Sequence, residues 1–101
     1  MNTELKQLIE DAAKLLGYKH VADNIYDAGD FVRVFNPCDP ERGDLMKVME
    51  AAELDIDFSC EAVFPPPYQT PYEFTKGDYQ SLALAVLRAA SATYKARINE
   101  N

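Results

Sequence analysis

Apolar residues at the start of the chain recur every three or four positions. Leu5, Leu8, Ile9, Ala12, Leu15 and Leu16 fall along one face of a helix over residues 3–16. Lys6, Glu10, Asp11 and Lys14 take the opposite side, and Gly17 stands where a left-handed cap closes such a helix. The pattern then shortens. A strand around residues 24–26, turn chemistry in Asp27-Ala28-Gly29-Asp30, and the β-branched and aromatic run Phe31–Phe35 predict a hairpin. Residues 20–24 fit neither period.

Asn36-Pro37 ends that run, because proline lacks the N–H a strand ladder needs and holds its predecessor extended. Two helix starts follow, Asp39-Pro40 and, a turn later, Gly43-Asp44 with Asp44 as the cap. Leu45, Val48, Met49 and Ala52 then make an apolar stripe. From Asp55 the period is two: Ile56, Phe58 and Cys60 point one way, and Asp55, Asp57, Ser59 and Glu61 the other, predicting one acidic-faced strand over residues 55–64. Three successive prolines in Pro65–Pro71 exclude a central strand. A short return strand over 72–75, a break at Gly77-Asp78 and a helix over 79–97 complete the chain. The helix stripe is Leu82, Ala83, Val86, Ala89, Ala90, Thr93 and Tyr94. The expected fold is a single α+β domain over residues 1–101: an antiparallel sheet of about four strands with three helices, in the order α-ββ-α-ββ-α.

Charge sharpens this outline. The net charge is −7 and its distribution is uneven. Residues 1–22 balance three acids with three bases; residues 23–61 set 11 acids against Arg33, Arg42 and Lys47; residues 62–101 carry three acids and four bases. The middle of the chain therefore supplies the whole surplus. Such a field repels nucleic acid and attracts basic protein surfaces. No apolar run approaches the roughly 20 residues of a membrane span, and the N-terminus has no signal-peptide pattern, so the expected location is the cytoplasm. In that reducing setting Cys38 and Cys60 are expected to be free thiols.

Two segments also carry a family resemblance. Phe35-Asn36-Pro37-Cys38, leading through Gly43-Asp44 into an amphipathic helix, resembles the aromatic-Asn-Pro signature of the phage ABA sandwich domain family, and the closing aromatic strand followed by Leu82–Ala90 is similar as well. The likeness covers roughly residues 24–95. It implies an origin in a phage or prophage, a compact α/β fold and an accessory role in the host cell; the family has no established catalytic residues to carry over. Phe35 replaces the tryptophan often found before Asn-Pro, and Pro65–Pro71 lengthens the second hairpin.

Candidate chemistry is sparse. Asp55 and Asp57, with Glu53 and Glu61 nearby, could hold a divalent cation, but no loop of regularly spaced oxygen ligands accompanies them. A solvated strand face is the simpler account. Cys38 precedes a helix start, yet Asp39 and Glu41 oppose a thiolate and the single histidine, His20, lies in another segment. Cys60 alternates with Ile56 and Phe58 as a core residue would. Four scattered glycines form no phosphate loop. Pro65-Pro66-Pro67-Tyr68 matches a WW-domain ligand pattern, but a stiff hairpin connection explains it more simply. Tyr68 and Tyr72 beside it are suited to anchoring a protein partner.

These residues predict a non-enzymatic accessory protein that uses no cofactor. It is expected to bind a basic protein surface, such as a host nucleic-acid-binding or defence protein, through Asp55, Asp57, Glu61, Glu53, Tyr68 and Tyr72. It is expected to be a monomer or weak homodimer that touches neither nucleic acid nor membrane. The alternative is a small-ligand or divalent-cation-binding domain, or an enzyme, built on the Asp55/Asp57/Glu61 cluster.

Overall fold

In the computed structural model, which describes residues 3–66 and 70–99, the chain runs α1 (Thr3–Leu15), β1 (Lys19–Ala22), β2 (Ile25–Asp27), β3 (Val32–Val34), α2 (Asp44–Ala51), β4 (Asp55–Asp57), β5 (Ala62–Phe64), β6 (Tyr72–Glu73), α3 (Tyr79–Asn99). The α+β class and the three helices are as expected. The strands differ: two antiparallel three-stranded meanders, β1-β2-β3 and β4-β5-β6, replace one four-stranded sheet.

Both differences have a local cause. Residues 19–22 pair with β2, and a register irregularity between His20 and Ala22 destroys the two-residue period there. Residues 55–64 are not one strand but a hairpin. The Asp57 side chain accepts from the Ser59 amide (2.9 Å), the Ser59 hydroxyl (2.6 Å) and the Cys60 amide (3.3 Å), folding residues 58–61 into a turn. Phe58 and Cys60 are consequently exposed and not part of the core.

Helix α1 closes on Gly17 at φ 79°, with the Tyr18 amide donating to the Ala13 carbonyl at 2.9 Å. Its polar face is not wholly wet. Asp11 is buried, receiving the Ser91 hydroxyl of α3 at 2.6 Å and the Gln7 amide at 3.1 Å. Around this pair Ala12 and Ala13 meet the alanine-rich α3, whose small side chains permit close approach. Helix α3 packs against α1, α2, β5 and β6. It therefore buries Ala85 and Leu87 in addition to its expected stripe, as a helix enclosed on several sides must.

The core joins Leu8, Ile9, Tyr26, Phe35, Leu45, Val48, Val63, Phe74, Val86 and Leu87. Phe35 meets Tyr18 and Tyr26 edge-on, each at 5.6 Å between ring centroids. No described helix is long and apolar enough to cross a membrane.

Candidate functional site

The acidic middle of the chain divides into one buried carboxylate and a set of exposed ones. Asp44 opens α2 and is fully buried. Its position at the helix start matches expectation, but its role does not. Gly43, at φ 74°, occupies the cap, and the Asp44 carboxylate turns inward. There it receives Arg42 Nε at 2.9 Å, Arg33 at 3.2 Å and the Asn36 amide at 2.9 Å, with Lys47 Nζ 4.0 Å away. Arg42 also donates to the Val34 carbonyl, and the Asn36 side chain accepts from the Cys38 amide at 3.2 Å. Tyr79 O–H donates to the Pro37 carbonyl at 3.0 Å and Gln80 to that of Cys38 at 2.9 Å, so α3 clamps the same loop. The aromatic-Asn-Pro…Gly-Asp stretch is thus a fastening of β3 to α2 and α3. All three cations of residues 23–61 gather on this one carboxylate.

The remaining acids of that segment receive nothing from those three cations. In the second sheet Asp55 faces Phe64 across β4–β5, while Asp57, Ala62 and Glu73 form one row across all three strands. Alternation therefore puts Asp55, Asp57 and Glu73 on one face, and Ile56, Val63 and Tyr72 on the other, against the core. Strand spacing sets Asp55 about 7 Å from Asp57, and Asp57 about 10 Å from Glu73. All three acids are exposed, and β4 is an edge strand. The side chains of Asp55 and Glu73 have no hydrogen bond or ion pair among the described residues. The hydrogen bonds from Ser59 and Cys60 hold the Asp57 carboxyl below its usual titration range.

Several expected site residues fall elsewhere. Glu61 is in the turn, at φ 53°, and accepts from the Lys76 amide at 2.8 Å, so it does not share the face of Asp55 and Asp57. Glu53, at φ 55° after α2, lies 3.5 Å from Arg97 of α3. Tyr72 packs against the core. Tyr68 lies outside the described residues. Exposed Phe58 meets the buried Phe74 edge-on at 5.6 Å and borders a recess with Tyr79 and Leu82 of α3, on the core side of the sheet and away from the acidic row. Glu73 lies in the return strand expected over residues 72–75 but was not among the expected site residues, because its place beside Asp57 depends on the cross-strand register, which the sequence does not give.

Among the described residues no group of three His, Cys, Asp or Glu side chains is arranged to hold a metal ion. Cys38 is half-buried, and burial pushes its thiol pKa up, away from the reactive thiolate.

A second polar concentration lies where α1 meets the first sheet. His20 Nε2 donates to the Asp23 carbonyl at 2.8 Å, its Nδ1 stands 3.9 Å from Glu10, and its ring lies 5.0 Å from that of Tyr26. A cleft of about 350 Å³ opens on one side of Glu10 and Tyr26, and one of about 310 Å³ on the other. Nothing in the hydrophobic periods marks these residues; only their polar character in an otherwise unassigned segment does.

Comparison with family models, with curated protein sequences and with solved structures gave no match.

Proposed function

We propose that this protein acts by binding rather than by catalysis, docking a basic protein surface on the acidic outer face of β4-β5-β6. Asp55, Asp57 and Glu73 form the centre, and Glu53 and Glu61 flank it. The observation that carries this reading is the commitment of Arg33, Arg42 and Lys47 to Asp44. With those cations turned to Asp44, the face has, among the described residues, no ion pair beyond the Arg97 contact to Glu53. An external cationic partner supplies what the fold withholds. The backbone adds support: Glu53 and Glu61 occupy left-handed φ values at which glycine is cheaper, yet both are carboxylates. The partner class we favour is a host nucleic-acid-binding or defence protein, whose phosphate-binding groups would meet carboxylates instead. The phage-type accessory role rests on the resemblance over residues 24–95.

A combined Asp55→Lys, Asp57→Asn, Glu73→Lys variant tests the reading. Its circular dichroism should match the parent, since all three side chains are exposed. Against host lysate at low salt, the immobilised parent should retain a basic protein that the variant releases, and added salt should weaken the parent's hold as the Debye length shrinks. Equal retention by parent and variant would discard the acidic face.

A further inference from the structure

The outer face of the first sheet is aliphatic where that of the second is acidic. Tyr26 and Phe35 are buried, Arg33 reaches the buried Asp44, and the His20 ring lies 5.0 Å from that of Tyr26, which fixes the core side of β1-β2-β3. Alternation then sends Ile25, Asp27, Val32 and Val34 to the other side, with Lys19 opposite Asp27 and Ala22 opposite Ile25. The irregularity between His20 and Ala22 adds Val21 there, since a bulge sets two residues against one. An antiparallel sheet ordinarily turns polar side chains to water. Here one row is aliphatic across all three strands, and Val21 is 57% exposed, Val32 61%, Ile25 and Val34 37% each. Those four side chains leave roughly 300 Å² of apolar surface uncovered, the scale at which a patch marks an interaction site.

We propose that a second copy of this chain packs here, the two aliphatic sheet faces stacking about a two-fold axis. The pairing uses no residue of the acidic face and stands independently of the docking function. Charge selects the occupant. Among the strand residues on this side only Lys19 and Asp27 are charged, so the strands present no net charge on a chain of −7. A basic partner gains no Coulomb attraction from them, and an anionic lipid surface is repelled by the chain as a whole. A second copy meets a face identical to its own, the self-complementarity that a two-fold interface requires. Stacking rather than edge pairing follows from β3. The Phe35 amide bonds to the Asn24 carbonyl at 2.8 Å and the Ala28 amide to the Phe31 carbonyl at 2.9 Å, so the Val32 and Val34 backbone groups point to the open edge. There Arg42 donates to the Val34 carbonyl at 2.6 Å and obstructs a further strand. Area sets the strength. With Ala22 and the Lys19 stem the face reaches roughly 400–500 Å² a side, below the roughly 800 Å² of a standard interface, which fits a weak, reversible dimer. Asp23 and Asp30, in the turns at either end, add repulsion between the copies.

Sedimentation equilibrium of the full chain over a concentration series tests this, with methyl NMR shifts followed alongside. The weight-average mass should climb from that of one chain toward that of two as concentration approaches about 1 mM. The shifts that change with concentration should cluster on Val21, Ile25, Val32 and Val34. Val32→Lys, at the most exposed of these positions, should weaken the dimer about tenfold or more by placing a charge inside it. Val21→Lys gives the same reading if the first variant loses its native circular dichroism. Added sodium chloride should strengthen self-association by screening the repulsion, the opposite of its effect on a basic partner at the acidic face. A chain still monomeric at the highest concentration, a dimer indifferent to both lysine variants, or shifts centred on the open edge of β4 would each overturn the assignment. Saturable shifts of the same methyls with phosphatidylcholine vesicles, from a chain that stays monomeric, would overturn it in favour of a lipid surface. Failure here, with lysate binding still sensitive to Asp55, Asp57 and Glu73, removes the aliphatic interface and leaves the acidic face intact.

Discussion

Asp44 shows how a carboxylate can stabilise a fold while withdrawing charge from its surface. Two guanidiniums and a backbone amide converge on it in a water-free position, so truncation leaves Arg33 and Arg42 facing an empty space. Asp44→Ala is expected to cost about 3–5 kcal/mol in denaturant unfolding, the range for breaking one side of a buried ion pair. Asp57 is the exposed counterpart. Its folded pKa is depressed below 3.8 by the Ser59 and Cys60 hydrogen bonds. The turn's stabilisation is thus complete above the ordinary carboxylate range and disappears as pH falls through the lowered folded value. Ser59→Ala removes the largest cause, so a carboxyl NMR titration should find the Asp57 pKa closer to its ordinary value in that variant. The turn was legible in principle, since Asp-x-Ser is a side-chain-capped reversal. The hydrophobic alternation of Ile56, Phe58 and Cys60 runs on through it and masks it. The burial of Asp44 was not legible, because the sequence gives the charges of Arg33 and Arg42 but not the direction of their side chains.

At the scale of elements, the three helices and the strands near residues 24–26, 31–35 and 72–75 were readable; β1 and the division of residues 55–64 into β4 and β5 were not. A helix of 13 or 21 residues samples its period several times; a strand of two or three residues samples its two-residue period little more than once. Helix ends give a sharper test. Helix α2 is followed by Glu53 at φ 55°, with the Leu54 amide bonded to the Met49 carbonyl at 3.0 Å, a closing turn in which glycine normally sits. Glu53→Gly is therefore expected to raise stability by about 0.5–1 kcal/mol, less whatever the exposed Arg97 pair contributes, while weakening partner binding. The α1–α3 seam tests the opposite case. Ser91→Ala leaves the buried Asp11 carboxylate with only Gln7, and a loss of about 1–3 kcal/mol in urea unfolding is expected.

For the whole molecule, ten of the eleven acids in residues 23–61 lie outside the buried Asp44 cluster, against an overall charge of −7. Their mutual repulsion opposes compaction. Raising sodium chloride from low to physiological concentration should therefore raise Tm by a few degrees, each 1 kcal/mol being about 4–8 °C for a domain of this size. A fall in Tm would mean that exposed ion pairs such as Arg88–Glu4 outweigh the repulsion. The class of fold and its acidic character were visible in the sequence. The division into two meanders was not, because it depends on the pairing of residues 19–22 with β2 and on the Asp57 turn between β4 and β5, which the hydrophobic periods do not show. Helix α3 governs the order of events during synthesis. The neighbours it packs against, α1, α2, β5 and β6, are all translated before it. A nascent chain must therefore leave wet the apolar surface that α3 covers on those elements until residues 79–99 leave the ribosome.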